Sequence, residues 1–266
     1  MIKKLYSAIK NKQLKDKLTR YIVAVSYKLF NTLIFRLIMN LVSKNRRIIK
    51  QLGKKIPLID NEFEKIANYY LPKNNSLNKN SSFASFGIGS DLNFEKEVYL
   101  KYGTRANCFD PTPRSKQLIE EINPLFVDYF EIGLNKTSGI LKFYQIKPYS
   151  DFTLYEPKRF WNTFESECWS FEDLSKNLNI ANFDLIKMDI EGAALPIVID
   201  LCREENKFGI LIAELELMSN KVREFESQLI NLINEANLNS YSIFRLPKKK
   251  NNFTSIEVLI LSSLVH

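Results

Sequence analysis

SFASFGIGSDLNFEKEVYLKYGTRANCFDPTP (residues 82–113) opens with a short run of apolar and small residues that stops at Gly87 and Gly89. Leu92, Val98 and the aromatics between and after them recur at helical spacing, and Gly103 stands where a helix C-terminal cap belongs. RANCFD (105–110) follows as a second short strand that ends in Asp110. Strand, helix and strand in this order form the unit from which parallel sheets are built.

Outward from that unit the alternation continues. PRSKQLIEEI (113–122) reads as a helix, FVDYFEIGL (126–134) as a third strand, and ILKFYQI (140–146) as an added hairpin arm. SFEDLSKNL (170–178) is helical, FDLIKMDI (183–190) a fourth strand, and GAALPIVIDLCR (192–203) a helix that tolerates Pro196 near its first turn. FGILIAELEL (208–217) is a fifth strand, and behind Ser219 as N-cap, Val222, Phe225, Leu229, Leu232, Ile233 and Ala236 fall on one helix face. SYSIFRL (240–246) and FTSIEVLILSS (253–263) close the chain as two strands joined by the basic loop PKKKNN. The pattern predicts an α/β fold, a doubly wound parallel sheet with a terminal antiparallel hairpin at its edge.

The 266 residues carry a net charge of +8 that is unevenly placed. Residues 1–50 hold 13 Lys or Arg against the single acid Asp16, whereas the remaining residues hold 25 basic and 29 acidic side chains. The basicity therefore belongs to an N-terminal arm. Within it, YIVAVSYKLFNTLIFRLIMNLVS (21–43) is apolar, but Lys28 and Arg36 interrupt it well short of the roughly 20 residues that a spanning helix needs. Lys28, Thr32, Arg36 and Asn40 recur every four residues, which makes the segment an amphipathic helix. It packs on the main domain or a second subunit, or lies on an anionic membrane surface, where each basic residue contributes about 1 kcal/mol. Nucleic acid is not an expected partner, since no recognition motif accompanies the charge. PKNNSLNKNSS (72–82) reads as a flexible connector, so the expected organisation is an arm at 1–71, a linker at 72–82 and a domain at 83–266. No secretory signal pattern opens the chain, and the expected location is cytoplasmic, with peripheral membrane contact through residues 1–50 as the further option.

The three cysteines, Cys108, Cys168 and Cys202, form no metal or redox pair, and the one histidine is the terminal His266. Imidazole chemistry is thereby nearly excluded, which leaves carboxylates, Lys and Tyr as acids and bases.

In a doubly wound sheet a ligand lies across the carboxyl ends of the strands. Gly87 and Gly89, flanked by Phe86 and Ser90, let the backbone turn sharply and approach a ligand, and Ser90 or Asp91 can cap the helix. Asp110 stands about 20 residues on, where a carboxylate accepts hydrogen bonds from ribose hydroxyls. Two readings stand, a nucleoside-containing cofactor or a turn with only a structural role. Leu92 occupies the third glycine position of the dinucleotide fingerprint, so a cofactor without pyrophosphate fits better than NAD.

SFGIGSDLNFEKEVYLKYG, CFDPTPRS and FDLIKMDIEGAALPIV together resemble the FkbM-type methyltransferases, from about residue 83 to about 217 and more loosely to 262. The resemblance implies S-adenosylmethionine as cofactor and a seven-stranded class I methyltransferase sheet. Carried over by position, it implies that Phe86, Gly87, Gly89, Ser90 and Asp91 surround the methionine part, with Asp91 at the ammonium. Asp110 would hold the ribose, Pro111 and Thr112 the adenosine edge, Gly133 and Leu134 the base, and Asp189 and Glu191 would face the methyl group. Glu216 stands where the family often has a histidine.

A hydroxyl acceptor needs its proton removed, for which Asp189 is the first candidate and Glu191 or Glu214 the second. Lys187, two residues before Asp189, shares its strand face and either pairs with an acid or neutralises the cluster. Glu191 also reads as an N-terminal helix acid favoured by the dipole. Glu214 and Glu216 share a face of the fifth strand and are expected to reach the cleft. No spacing among the four acids requires a metal. The aromatic, irregular segment at 147–170 is expected either to contact the acceptor or to cover the sheet edge; its rings favour a glycan or glycolipid hydroxyl, with a small-metabolite hydroxyl as the other acceptor class. The competing functions are an NAD-dependent oxidoreductase and a non-catalytic membrane-associated module.

Overall fold

The computed structural model describes residues 47–145, 152–157, 159–204, 207–217, 221–247 and 255–263. The arm helix at 21–43, Ser219 and His266 lie outside the described residues. The chain divides into two units, Met1–Arg47 and Ile48–His266. The second unit begins well before the predicted boundary. Its first residues, at 48–53, are helical and bury Ile49 and Leu52. Strands β1 (Phe63–Ile66) and β2 (Tyr69–Pro72) then form an antiparallel hairpin whose Leu71 is fully buried. The arm therefore does not extend to residue 71, because the apolar residues between Ile48 and Leu71 complete the core. The polar stretch at 72–82 is a connection within the unit, held by bonds such as Thr104 Oγ1 to the Asn78 carbonyl.

The predicted alternation follows: β3 (Phe83–Phe86), α1 (Asn93–Tyr102), β4 (Ala106–Phe109), α2 (Pro113–Ile122) and β5 (Val127–Phe130). The third predicted strand divides. After β5 the chain leaves the main sheet, and β6 (Gly133–Leu134) joins β7 (Gly139–Gln145), β8 (Phe152–Thr153) and β9 (Asn162–Trp169) in a four-stranded sheet of order β6-β9-β7-β8. Much of the segment expected to be irregular is thus β9, paired antiparallel with β7. The chain then forms α3 (Phe171–Leu178), β10 (Phe183–Met188), α4 (Ala194–Cys202), β11 (Phe208–Glu216), α5 (Val222–Leu238), β12 (Tyr241–Arg245) and β13 (Ser255–Ser262).

The main sheet has the order β12-β13-β11-β10-β3-β4-β5. β13 runs antiparallel to both its neighbours, while β11, β10, β3, β4 and β5 are parallel. The closing pair forms the expected antiparallel hairpin at the edge of the sheet, with β12 outermost and β13 inside it, burying all eight of its residues. A near-continuous apolar run such as SIEVLILS satisfies both faces of a sheet, which is what an interior strand requires. Alternate residues divide the core in two. Ala84, Phe86, Ile186 and Met188 pack with α4 and α5, whereas Phe83, Leu185, Ile210 and Leu259 pack with α1 and the β1–β2 hairpin.

Candidate active site

From β3 the chain moves outward to β4 and β5, then returns to the opposite side of β3 to form β10. The connections part at that point, and a crevice opens beyond the carboxyl ends of the strands. A cavity of about 830 Å³ lies there, within the range of small-molecule sites. Its walls are the loops after β3, β4 and β10, the hairpin turn at Asn68 and Tyr69, and Phe143, Phe152 and Trp161 beside the smaller sheet.

The two glycines of the first loop differ in their reasons for being glycine. Both have positive φ, +74° at Gly87 and +55° at Gly89. A Cβ on Gly87 would lie 1.8 Å from the Asp189 carbonyl oxygen, whereas one on Gly89 would meet nothing within 4 Å. The first glycine permits two loops to touch, and the second leaves its surroundings open.

Asp110, only 4% exposed, ties that loop to the next. Its Oδ2 accepts the Gly89 amide at 2.9 Å, and its Oδ1 accepts the Thr112 amide and hydroxyl at 2.9 and 2.6 Å. Thr112 Oγ1 lies 2.8 Å from Ser115 Oγ, which donates to the Gly89 carbonyl at 2.9 Å. Thr112 and Ser115 have one hydroxyl proton each, so with these donated to Asp110 and to the Gly89 carbonyl, the Thr112–Ser115 pair is a close contact between them and not a further hydrogen bond. A carboxylate has about four lone-pair sites, so these three bonds leave Oδ2 able to accept one more donor. Ser115, fully buried, was not among the predicted residues; the sequence signal was a small hydroxyl three positions after Thr112, at the start of α2.

The remaining predicted cofactor residues divide. Pro111, Thr112, Gly133 and Leu134 line the cavity. Gly133 is also required by packing, since a Cβ there would lie 2.6 Å from Cys168 Sγ. Asp91 lines the cavity and accepts the Asn93 amide at 2.9 Å in a turn just before α1, whose N-cap is Leu92. Phe86 is a core residue with no exposure, stacked on Phe109, and is not a contact residue. Ser90 is exposed and does not line the cavity, because the turn points it outward.

Among the predicted catalytic residues, Lys187, Asp189 and Glu191 line the cavity. Tyr69 donates to Asp189 Oδ2 at 3.3 Å. Glu191 is not in the helix: it sits at φ +20° in the turn before α4, and its carbonyl accepts Thr153 Oγ1 at 3.1 Å. Lys187 is 4% exposed, and its ammonium donates to the Gly87 carbonyl at 2.7 Å and lies 3.8 Å from Glu95. Burial opposes its charge, but Glu95 and Asp189 outweigh that and hold its pKa above the usual lysine value. Lys187 thus supports the glycine loop from beneath.

Glu95 was missed by sequence reasoning, although Leu92, Glu95 and Val98 share one buried helix face, and an acid in such a stripe is the signal. Its Oε1 accepts Ser85 Oγ at 2.5 Å.

Glu214 and Glu216 do not line the cavity. They lie on the sheet face shared by Lys187 and Asp189, where Glu214 accepts Ser255 Oγ at 2.7 Å and stands opposite Glu257 of β13. Glu216 hydrogen-bonds with Glu191, and burial together with Glu191, Glu214 and Asp189 pushes its carboxyl up to about 9. It is therefore a neutral acid at pH 7. Among the described residues no cluster of His, Cys, Asp and Glu is arranged to hold a metal, and no helix is long and apolar enough to cross a membrane. All three cysteines are buried and free.

No family model and no curated protein matches the chain, so the FkbM-type resemblance rests on the quoted motifs alone. Solved structures similar to it include the METTL16 MTase domain, at 11% identity and TM-score 0.40, covering 68% of this chain and 59% of that one. The human methyltransferase 10 domain containing protein matches at 10% identity and TM-score 0.39, covering 82% of this chain and 81% of its own. Precorrin-6y C5,15-methyltransferase from Geobacter metallireducens GS-15 matches at 10% and 0.39, covering 78% and 98%. The chain spans less than two thirds of the METTL16 domain, and similarities this low do not bear on what it binds.

Proposed function

We propose that the protein is an S-adenosylmethionine-dependent methyltransferase that O-methylates a carbohydrate, glycolipid or small-metabolite hydroxyl. The observation that carries this reading is the set of hydrogen bonds by which Asp110, Thr112 and Ser115 hold Gly89, tying two loops together at the switch point of the sheet. It leaves one lone pair of Asp110 to accept a ribose hydroxyl, and the open surroundings of Gly89 leave room for the ligand. The cavity volume accommodates a nucleoside with an amino-acid tail beside an acceptor. A dinucleotide is disfavoured because Leu92 packs in the core where the third glycine would stand.

When bound, S-adenosylmethionine supplies an electrophilic methyl group on a sulfonium sulfur. The chain's task is then to hold an acceptor hydroxyl in line with it, which by itself accounts for much of the acceleration in such displacements. Asp189, at the carboxyl end of β10, would take the proton of the acceptor hydroxyl. Trp161, 68% exposed on the cavity wall, offers a ring face on which a sugar can stack, and this supports the carbohydrate class of acceptor.

Calorimetry with S-adenosylmethionine and S-adenosylhomocysteine tests the reading, and no binding of either by the purified chain overturns it. Asp110→Ala is expected to weaken binding of both at least tenfold, and Asp189→Asn to retain binding while abolishing transfer of labelled methyl to fractionated cell extract. Equal behaviour of the two variants contradicts the roles.

A further inference from the structure

The β1–β2 hairpin belongs to no strand of the main sheet, yet its turn reaches the cavity with Asn68 and Tyr69. The turn is held in a costly backbone conformation: Ala67 has φ +49°, a region that residues with a Cβ rarely adopt. Strain that persists at a cavity wall points to a placement fixed by its surroundings. Tyr69 is 7% exposed, its ring packs edge-on against Phe94 at 5.0 Å, and its hydroxyl donates to Asp189 Oδ2 at 3.3 Å.

We propose that the hairpin completes the reaction site and that Tyr69 is the positioning residue for Asp189. The inference rests on the methyltransferase reading. A carboxylate that swings between rotamers presents its basic oxygen to the acceptor only part of the time. A phenol bonded to Oδ2 fixes the group and directs Oδ1 to the remaining task. Burial, then Asp189, Glu257, Glu214 and Glu95, keep this phenol protonated far above neutral pH, so it acts as a donor and not as a base. A donor to a carboxylate also favours its ionised form, the form that accepts a proton. Asp189 stands among Lys187 on its own strand, Glu191 in the next turn and Glu216 on β11, with Glu95 on α1, Glu214 on β11 and Glu257 on β13 around the Tyr69–Asp189 pair. The acid limb of a rate profile therefore belongs to the cluster, and only its displacement is assigned to Tyr69.

Tyr69→Phe in the full chain tests this, since Phe keeps the ring packing and removes only the hydroxyl. Two quantities are measured: S-adenosylhomocysteine affinity by calorimetry, and methyl label transferred from S-adenosylmethionine to fractionated cell extract as a function of pH. The expected result is affinity within twofold of wild type, label transfer reduced about tenfold at neutral pH, and an acid limb moved upward by about one pH unit, the size of a lost hydrogen bond to a charged group. Unchanged transfer with an unmoved acid limb overturns the proposal. So does affinity that falls in step with transfer, because the hairpin would then act through the glycine loop. A wild-type protein that binds no S-adenosylhomocysteine or transfers no label fails the methyltransferase reading itself, and the role of Tyr69 falls with it.

Discussion

Gly87 and Gly89 stand two residues apart, share a positive φ, and are predicted to respond differently to the same substitution. At Gly89 a methyl group meets no neighbour, so Gly89→Ala costs only the left-handed backbone penalty, about 1–2 kcal/mol. At Gly87 the same penalty is joined by a backbone oxygen 1.8 Å from the new carbon, which the fold can relieve only by separating the β3 and β10 loops. Gly87→Ala should therefore exceed the roughly 4 kcal/mol that few single substitutions reach. Urea denaturation of the two variants reads the difference directly, and equal midpoints would refute the geometry. The sequence marked both positions as glycines that permit a turn. It could not rank them, because the oxygen that forbids a side chain at Gly87 comes from a residue about a hundred positions away.

Period-2 alternation along strands places Lys187 and Asp189 on one face of β10, Glu214 and Glu216 on the same face of β11, and Glu257 beside them on β13. This face of three strands brings carboxylates together, and burial together with Glu191, Glu214 and Asp189 raises the Glu216 carboxyl to about 9 against an ordinary 4.5. The sign of the linkage follows. A carboxyl whose pKa is raised on folding contributes stability that is fully present below the unfolded value and is lost as pH rises through the folded one. Stability should thus decline between about pH 4.5 and 9, and Glu216→Gln, which cannot ionise, should flatten that decline. Denaturation midpoints of both proteins across this range check it, and parallel curves would contradict the assignment. The shared face of Glu214 and Glu216 was legible in the sequence. Their position was not: the pattern placed these acids at the cleft, whereas β13 inserts between β11 and β12 and takes Glu214 for itself.

At the scale of the molecule the decisive feature is where the folded unit begins. Ile49, Leu52, Ile56, Ile66, Tyr69 and Leu71 are all buried, and burying a large apolar side chain contributes about 1.5–3 kcal/mol. Their sum is comparable with the whole stability of a domain, about 5–15 kcal/mol. A chain of residues 48–266 is accordingly expected to unfold cooperatively, while residues 83–266 should show no cooperative transition and should aggregate. Circular dichroism melts of the two fragments decide this, and a stable 83–266 fragment would restore the boundary expected from composition. By itself the sequence determined the alternating strands and helices, the glycine loop, and the carboxylates at Asp110 and Asp189, because periodicity, turn residues and strand ends are local properties. Only the tertiary structure decided that the hairpin before the first sheet strand supplies Tyr69, that Glu95 and Ser115 lie beneath the loops, and that Phe86 and Ser90 do not face the cavity. Those outcomes depend on which distant side chain fills a given space, and a linear pattern carries no record of packing across a sheet.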